Sequence, residues 1–387
     1  MVFVAQDSIL AIKIVYRHNA KLETWATKTA IQMLQSQVNS ITLTVEVDMS
    51  NKSKLLVGVA GAGFAGRAHM EGYKNTEDAE LIAICDVSRE RAQEAADKYS
   101  IPKVFTDFNE MISLPDLDAV SICLPNTMHM PMSVAALEGG KHVLCEKPLA
   151  ANAEQAQKMV DTAKKTGKTL AMSLNFRYEG RALTLKKIVE SGDLGNVYYA
   201  KTAMLRNNSI PRGWFHVKDK SGGGPLLDLA SHMLDVTWWI MGRPEPVSAS
   251  GFTSSKLSSA GKGLGTWGVG FGDGPVDIED IAVGLIKFKD GKSLFVEVSW
   301  ALNGPPSHYC YLFGTEGGAS LYPDFAIFKE PSIQAPPVEP SKDRIKEFVR
   351  NILDGTEPLG PASDGLQIMR MLDAIYKSAE TGKEAFI

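Results

Sequence analysis

The sequence of 387 residues predicts an α/β protein with two parts: an N-terminal parallel sheet covered by helices, and a C-terminal α/β domain with an open, mostly antiparallel sheet. Up to about residue 174, short apolar runs alternate with amphipathic stretches, which is typical of parallel strands buried on both faces. Beyond that point, runs of alternating polarity follow one another without helices between them, as in antiparallel sheets. The length also favours two domains of roughly 100 to 200 residues each.

The first domain is predicted over residues 54–174. Its strands have the sequences LLVGVA, LIAICD, DAVSIC, HVLCE and TLAMSL. The helical patterns between them are FAGRAHMEGY, SRERAQEAADKYS, PMSVAALEGG and NAEQAQKMVDTAKKTG. Ser88 is a predicted N-cap, because a serine hydroxyl can accept a hydrogen bond from a free backbone N–H at a helix start.

The second domain is predicted over residues 175–387. After a helix at about residues 181–191, the expected strands are NVYYAKTAML, PVSASGFT, DIAVGLIKF, SLFVEVSWA and HYCYLFGT. Asp290-Gly291 lies between two alternating runs and predicts a hairpin. One helix is expected over residues 225–241, and two more end the chain. The Gly- and Ser-rich residues 254–274 predict a mobile loop.

Residues 1–53 do not lead into the first strand by any recognisable turn. Their apolar run, SILAIKIV, is too short to span a membrane and is broken by Lys13. A short polar stretch from Met49 forms a natural start before the strand. We therefore expect an N-terminal extension that is foreign to the native protein, with translation starting at Met49.

Composition excludes several classes of function. The net charge is −4 with no block of like charges, so nothing predicts nucleic-acid binding. No apolar run approaches the roughly 18 residues of a membrane span. The four cysteines have neither CxxC spacing nor histidine partners, which favours reduced thiols in the cytoplasm and predicts no metal site. His69 has no partner pattern either and is interpreted as a structural or surface residue.

A glycine-rich turn directly follows the first predicted strand. Gly61, Gly63 and Gly66 have the G-x-G-x-x-G spacing of a dinucleotide-binding Rossmann turn, in which the next helix directs its N-terminal N–H groups at phosphates. Asp86 lies 20 positions after Gly66, where an acid accepts hydrogen bonds from the adenosine ribose. An ionised Asp86 repels a 2′-phosphate and favours NAD over NADP, although Ser88 and Arg89 could accept that phosphate.

Lys147, in the sequence Glu146-Lys147-Pro148, follows the strand HVLC. Ligands of open α/β sheets gather at the carboxyl ends of strands, so this lysine is placed to hydrogen-bond a substrate hydroxyl beside a nicotinamide ring. A solvated lysine at a strand end is the simpler interpretation of the same residue.

The sequence GGGPLLDLASHMLD, residues 222–235, contains the second candidate group. In one helix, Asp228 and His232 share a face at i and i+4. A histidine can take a hydroxyl proton while a carboxylate supports the resulting imidazolium. Asp235 could orient the histidine instead, and the polar face could also have no catalytic role.

Taken together, the glycine turn, Asp86, LPNTMH, GKHVLCEKP, NFRY and GGG-x-LLD-x-x-x-H-x-x-D resemble the Gfo/Idh/MocA family of nicotinamide-dependent oxidoreductases, which includes inositol 2-dehydrogenase and related sugar dehydrogenases. The resemblance extends from about residue 53 to residue 387. It implies a Rossmann domain followed by a substrate-binding and oligomerisation domain, and a homodimer or homotetramer. It also implies that Lys147, Asp228 and His232 are catalytic.

The resemblance implies further binding residues. The implied cofactor contacts are Gly61, Gly63, Phe64, Ala65, Gly66, Asp86, Leu124, Pro125, Asn126, His129, Glu146, Lys147 and Arg177. The implied substrate contacts are Lys147, Asn175, Arg206, Trp214, Asp228 and His232.

The sequence thus predicts an NAD-dependent dehydrogenase that acts on a secondary hydroxyl of a sugar, a cyclic polyol or a derivative. His232 is the expected general base, and Lys147 the expected group that polarises the hydroxyl. Two alternatives remain open: a glycoside hydrolase or lyase that recycles a tightly held NAD, and a non-catalytic, nucleotide-sensing regulator. The retention of both Lys147 and His232 favours the enzyme.

Overall fold

The computed structural model describes residues 54–266 and 276–387. The expected N-terminal extension of residues 1–53 lies outside the described residues, and so does the second part of the predicted loop at residues 254–274.

A six-stranded parallel sheet forms the first part of the described chain. Its spatial order is β3-β2-β1-β4-β5-β6. The strands are β1 (Leu55–Ala60), β2 (Ala79–Cys85), β3 (Lys103–Phe105), β4 (Ala119–Ile122), β5 (His142–Cys145) and β6 (Leu170–Met172). Because the order reverses between β1 and β4, the turns after these two strands diverge and open a crevice at the carboxyl edge of the sheet.

Five helices follow strands β1 to β5 in turn. They are α1 (Phe64–Lys74), α2 (Arg89–Tyr99), α3 (Phe108–Ile112), α4 (Asn126–Glu138) and α5 (Ala153–Thr166). The sequence analysis missed β3 and α3, which are too short to show a period. The predicted cap is confirmed, since the Ser88 side chain accepts a hydrogen bond from the backbone N–H of Arg91 at 3.3 Å.

A nine-stranded mixed sheet forms the second part, in the order β14-β13-β12-β11-β7-β10-β9-β8-β15. The strands are β7 (Val197–Leu205), β8 (Pro246–Ser254), β9 (Ile281–Phe288), β10 (Ser293–Ser299), β11 (Ser307–Gly314), β12 (Gly318–Tyr322), β13 (Ala326–Lys329), β14 (Ser332–Gln334) and β15 (Ala385–Phe386). Only the pairing of β7 with β10 is parallel among the described strand pairs of this sheet. The predicted fold class, with its largely antiparallel second sheet, is confirmed.

The predicted hairpin is also confirmed. Strands β9 and β10 pair antiparallel, with Ser293 opposite Lys287. Gly291 adopts φ +85° in the turn, a conformation that glycine reaches without steric cost. The aspartate–glycine pair therefore sets the register of these two strands.

Six α-helices belong to the second part of the described chain. They are α6 (Gly180–Glu190), α7 (Lys218–Ser221), α8 (Pro225–Asp228), α9 (Ala230–Ile240), α10 (Arg344–Asp354) and α11 (Ala362–Thr381). The expectation of one helix over residues 225–241 is wrong, because the chain breaks at Leu229 into α8 and α9. The break lies directly after Asp228, whose backbone carbonyl oxygen accepts hydrogen bonds from the Lys147 ammonium at 3.3 Å and the Ser231 hydroxyl at 3.0 Å.

Candidate active site

The glycine turn after β1 is shaped by close backbone contacts. Gly61 has φ +99°, and a Cβ there would lie 2.2 Å from the carbonyl oxygen of Cys123. A Cβ on Gly66 would lie 1.8 Å from the oxygen of Gly61. Gly63, in contrast, has open space around it, at the N-terminus of α1 where no side chain caps the helix. The space and the free N–H groups fit a pyrophosphate.

Asp86 lies at the carboxyl end of β2, beside this turn. Its carboxylate accepts hydrogen bonds from the backbone N–H groups of Ala62 and Ser88, both at 2.9 Å. The Arg91 guanidinium donates to the same carboxylate at 2.7 Å. The cation that pairs with this carboxylate is therefore Arg91. Arg89, which was expected as a possible partner of a 2′-phosphate, is exposed. Phe64 and Val87, which flank the turn and the acid, are 93% and 82% exposed.

The turn after β4 carries Leu124, Pro125 and Asn126. The Asn126 amide donates to the carbonyl oxygen of Ser221 at 2.8 Å, and Asn126 is buried. The ring nitrogens of His129 lie 2.7 Å from the oxygen of Pro148 and 2.9 Å from that of Leu124. These two side chains join protein segments to one another, and a contact of either with the cofactor stays a prediction.

Lys147 and Asp228 meet across the crevice. The Lys147 ammonium donates to the Asp228 carboxylate at 2.5 Å, and the Trp300 indole donates to the other carboxylate oxygen at 3.0 Å. Burial alone would raise the pKa of Asp228, but the charge and hydrogen bond of Lys147, together with the hydrogen bond from Trp300, hold that pKa below its usual range. The carboxylate expected to support His232 thus holds Lys147 as its hydrogen-bond partner instead.

His232 lies beside this ion pair, and its ring makes no hydrogen bond with the described residues. Its Nδ1 is buried and unpartnered, and its ring lies 5.0 Å from the ring of Phe176. Burial and then the positive charge of Lys147 lower the pKa of His232 to about 3, although the charge of Asp228 opposes them. The imidazole is therefore neutral near pH 7 and able to accept a proton.

A buried glutamate fixes the helix that carries Asp228. The Glu279 carboxylate accepts hydrogen bonds from the backbone N–H groups of Gly224 and Leu226, at 3.0 and 3.1 Å, and from the Tyr376 hydroxyl at 2.8 Å. A Cβ on Gly224 would lie 2.2 Å from the backbone carbonyl oxygen of Glu279. The start of α8 is thus anchored to the strand region before β9, which holds Asp228 in place.

Arg177 does not face the crevice. It is fully buried, and its guanidinium donates to Asp235 at 2.6 and 3.0 Å and to Asp364 at 2.6 Å. A direct cofactor contact by this side chain is therefore corrected to an internal ion network. The same bonds exclude the alternative in which Asp235 orients His232.

The remaining predicted residues are Asn175, Arg206 and Trp214. Asn175 starts the turn Asn175–Tyr178 and has a buried, unpartnered Oδ1. Arg206 follows β7, and its charge contributes to lowering the pKa of His232. Trp214 stacks on Phe215, with ring centroids 3.9 Å apart. Substrate contacts by these three residues stay predictions.

Sequence reasoning missed Trp300, Phe176, Arg91 and His69. Trp300 follows an alternating strand and Phe176 lies inside NFRY, and neither position carries a chemical signal in the sequence. His69 lies on α1, and its Nε2 is 2.9 Å from the Glu146 carboxylate. The Glu146 side chain therefore points at His69 as well as lying next to Lys147.

The described residues contain neither a candidate metal cluster nor a candidate membrane-spanning helix. No group of three or more histidine, cysteine, aspartate or glutamate side chains there could hold a metal ion. No helix there has both the length and the apolar character needed to cross a membrane.

Comparison with known proteins places this geometry in context. Residues 55–174 match the Gfo/Idh/MocA model described as an oxidoreductase family with an NAD-binding Rossmann fold, and residues 182–320 match the Gfo/Idh/MocA C-terminal domain. The D-glucoside 3-dehydrogenase of Escherichia coli K12 is 34% identical over 85% of this chain and 97% of its own length. The myo-inositol 2-dehydrogenase of Thermotoga maritima is 26% identical over 84% of this chain and 96% of its own.

A solved structure of levoglucosan dehydrogenase in complex with NADH superimposes with a TM-score of 0.74. The match covers 86% of this chain and 99% of that one, at 24% identity. At this identity the likeness establishes the shared fold.

Proposed function

Because the chain belongs to the Gfo/Idh/MocA family of NAD-binding oxidoreductases, we propose that it is a dehydrogenase that oxidises a secondary hydroxyl of a sugar, a glycoside or a cyclic polyol. The observation that carries this proposal is the convergence of Lys147, Asp228 and His232 at the crevice. The named relatives, which act on a glucoside and on an inositol, support the substrate class.

Each of the three side chains has a different role at the substrate. Asp228 is ionised and holds the Lys147 ammonium at 2.5 Å, so the lysine can donate a hydrogen bond to the substrate oxygen from a fixed position. His232 is neutral, and its ring can take the hydroxyl proton as the carbonyl forms. Bound NAD supplies the hydride acceptor, at C4 of its nicotinamide ring.

The glycine turn and Asp86 support the binding of NAD. The open space at Gly63 and the uncapped start of α1 fit the pyrophosphate, and the Asp86 carboxylate fits the adenosine ribose. Phe64, Ala65, Leu124 and Pro125 remain proposed contacts through their positions in the two turns.

The test is absorbance at 340 nm with purified protein and NAD, across a panel of aldoses, glucosides, anhydrosugars and inositols. We expect NADH to form with one substrate class and Lys147→Ala to lower kcat by roughly 10²- to 10⁴-fold. Bound NAD without net NADH on any substrate would contradict the dehydrogenase. If glycosides are cleaved under those conditions, the result favours the enzyme that recycles its NAD. If they are not cleaved, the result favours the regulator.

The partner and the compartment are also proposals. We propose a homodimer or homotetramer, formed through the outer face of the nine-stranded sheet, where aromatic side chains lie half exposed. We propose a cytoplasmic location, because all four cysteines are free in the structure and three of them are buried.

A further inference from the structure

A buried polar network contacts the Glu146 side chain, next to Lys147 in the sequence. At its centre is His69, which is fully buried. His69 Nε2 is 2.9 Å from Glu146 Oε1, and Nδ1 is 2.9 Å from the hydroxyl of Ser121, which is in turn 2.8 Å from the Tyr73 hydroxyl. Ser173 lies 3.3 Å from Nε2. The network thus joins α1, β4 and the ends of β5 and β6.

The chemistry of the partners assigns the protons. Burial alone would raise the pKa of Glu146, but the hydrogen bond from His69 and the charges of Arg344 and Lys147 lower it, so the carboxylate is ionised and can only accept. Nε2 of His69 therefore carries the hydrogen that it donates to Glu146. Burial lowers the pKa of His69, so the ring is neutral and Nδ1 accepts from the Ser121 hydroxyl. Tyr73 then donates to Ser121, and every polar group in the row is satisfied.

Glu146 transmits this arrangement to Lys147. Its second oxygen, Oε2, accepts the backbone N–H of Lys147 at 3.2 Å. Arg344, the first residue of α10, donates to Ser173 at 2.8 Å and lies 3.9 Å from Glu146. One carboxylate therefore connects the buried histidine to the backbone from which the Lys147 side chain extends towards Asp228.

From this geometry we infer that His69 is a positioning residue for hydride transfer. It orients Glu146, which fixes the backbone of Lys147, so that the ammonium is held where the substrate oxygen binds. The inference rests on the proposed function. Loss of the hydrogen bond from His69 to Glu146 should change the rate of the chemical step more than the affinity for the substrate. The reason is that misplacement of a catalytic group by about 1 Å can cost roughly 100-fold in rate.

The experiment uses three substitutions in the full chain, assayed with NAD and the substrate that the wild type oxidises. His69→Asn places an amide near the Nδ1 position and removes the donor to Glu146. His69→Gln extends an amide nitrogen to the Nε2 position and keeps that donor. Tyr73→Phe removes only the outermost hydroxyl of the row, so it is the matched control. Thermal unfolding and NADH binding are measured for each variant.

We expect His69→Asn to lower kcat roughly 10- to 100-fold with KM within about twofold of the wild type, and His69→Gln to recover most of that loss. Tyr73→Phe should retain a kcat within about threefold of the wild type. Equal kcat values for the two folded His69 variants would overturn the inference. A wild type that forms no NADH would instead count against the proposed function.

A fourth substitution covers the case in which His69→Asn does not fold. Glu146→Gln is nearly isosteric, but its amide can present only one acceptor oxygen and must turn its NH₂ towards one of the two N–H donors. We expect a decrease in kcat of roughly tenfold or more at unchanged KM. Wild-type kcat in folded Glu146→Gln would overturn the inference.

Discussion

The two oxygens of the Asp228 carboxylate have donors from different parts of the chain. Lys147 follows β5 of the parallel sheet, and Trp300 follows β10 of the mixed sheet. Because the carboxylate is buried, both bonds matter for its charge and its direction. Asp228 therefore holds the Lys147 ammonium and is itself held by Trp300, which follows β10 of the mixed sheet.

Asp228→Asn should lower kcat by roughly 100-fold or more, because it leaves the Lys147 ammonium without a charged partner in a buried place. Trp300→Phe removes a single neutral donor at the same carboxylate. A loss of about 1 kcal/mol, or roughly fivefold in kcat, is expected for it. Steady-state kinetics of the two variants checks the difference, and a larger loss in Trp300→Phe than in Asp228→Asn would contradict it.

The pKa of His232 predicts an unusual pH dependence. An exposed histidine base would lose activity as the pH falls through about 6.5. In the free protein the pKa of His232 is lowered to about 3, so the ring stays neutral until the pH falls far below that range. The acid limb of kcat/KM attributable to this base should therefore lie below about pH 5, because kcat/KM reports the free enzyme. A midpoint near 6.5 that moves in His232→Asn would contradict the assignment.

Arg91 is expected to influence the choice between NAD and NADP. Its guanidinium donates to Asp86 at 2.7 Å and is partly exposed, so it can turn from the carboxylate to a 2′-phosphate. Arg91→Ala should lower kcat/KM for NADP relative to NAD by about tenfold, which is about 1.4 kcal/mol. Arg89→Ala, on the exposed side of the same helix start, is the control and should leave the ratio within about twofold.

At the level of elements, the three glycines of the turn after β1 have separable roles. Gly61 and Gly66 are required by contacts within the protein, since a Cβ at either would overlap a carbonyl oxygen. Gly63 has no such neighbour and an ordinary negative φ. The space beside it is therefore free for the ligand rather than needed for the fold.

Gly66→Ala should destabilise the fold, because its Cβ would lie 1.8 Å from the oxygen of Gly61, and a loss of about 2 kcal/mol or more is expected. Gly63→Ala should change the free energy of unfolding by only about 0.5 kcal/mol but should weaken NAD binding roughly tenfold or more. Thermal unfolding and calorimetric titration with NAD measure the two effects. Unchanged NAD affinity in Gly63→Ala would contradict a pyrophosphate at this position.

The observed helices and strands also show which elements can be predicted from sequence periodicity. Strands of four or more apolar residues, such as β1 and β4, were placed within two residues of their observed ends. The three-residue strand β3 and the short strands β13 and β14 have no period to detect. The break at Leu229 was also invisible, because the anchoring of α8 by Glu279 is a contact between residues 50 or more positions apart.

Across the whole molecule, reactive side chains could be predicted from the sequence more reliably than the contacts that side chains make in the fold. Lys147, Asp228 and His232 were candidates by residue type and spacing and were selected by the resemblance to the family, and the fold brings them together. Arg177 was misassigned because its partners, Asp235 and Asp364, lie 58 and 187 positions away. His69 was interpreted as a structural or surface residue for the same reason, since its partner Glu146 is 77 positions away.

The outer face of the nine-stranded sheet carries a continuous aromatic patch. Tyr199 stacks on Phe313, with ring centroids 5.5 Å apart, and the Lys201 ammonium lies 5.4 Å from the ring of Tyr311. The register places Phe295 opposite Lys201 on the neighbouring strand. Glu297, one step further along that face, provides an acid that the Lys201 of a second copy could meet. A stable interface buries about 1,600 Å² in total, which the face of a nine-stranded sheet can supply.

We expect the native protein to be a dimer or tetramer through this patch, and Tyr199→Glu to release single chains, because a buried charge without a partner costs several kcal/mol. Tyr198→Glu is the matched control: the same substitution at the adjacent residue, which is 51% exposed and points to the opposite face of β7. Light scattering coupled to size exclusion measures the mass of each. Single chains in the wild type, or equal dissociation by the two variants, would contradict an interface on this face, whereas dissociation by Tyr199→Glu alone would locate it there.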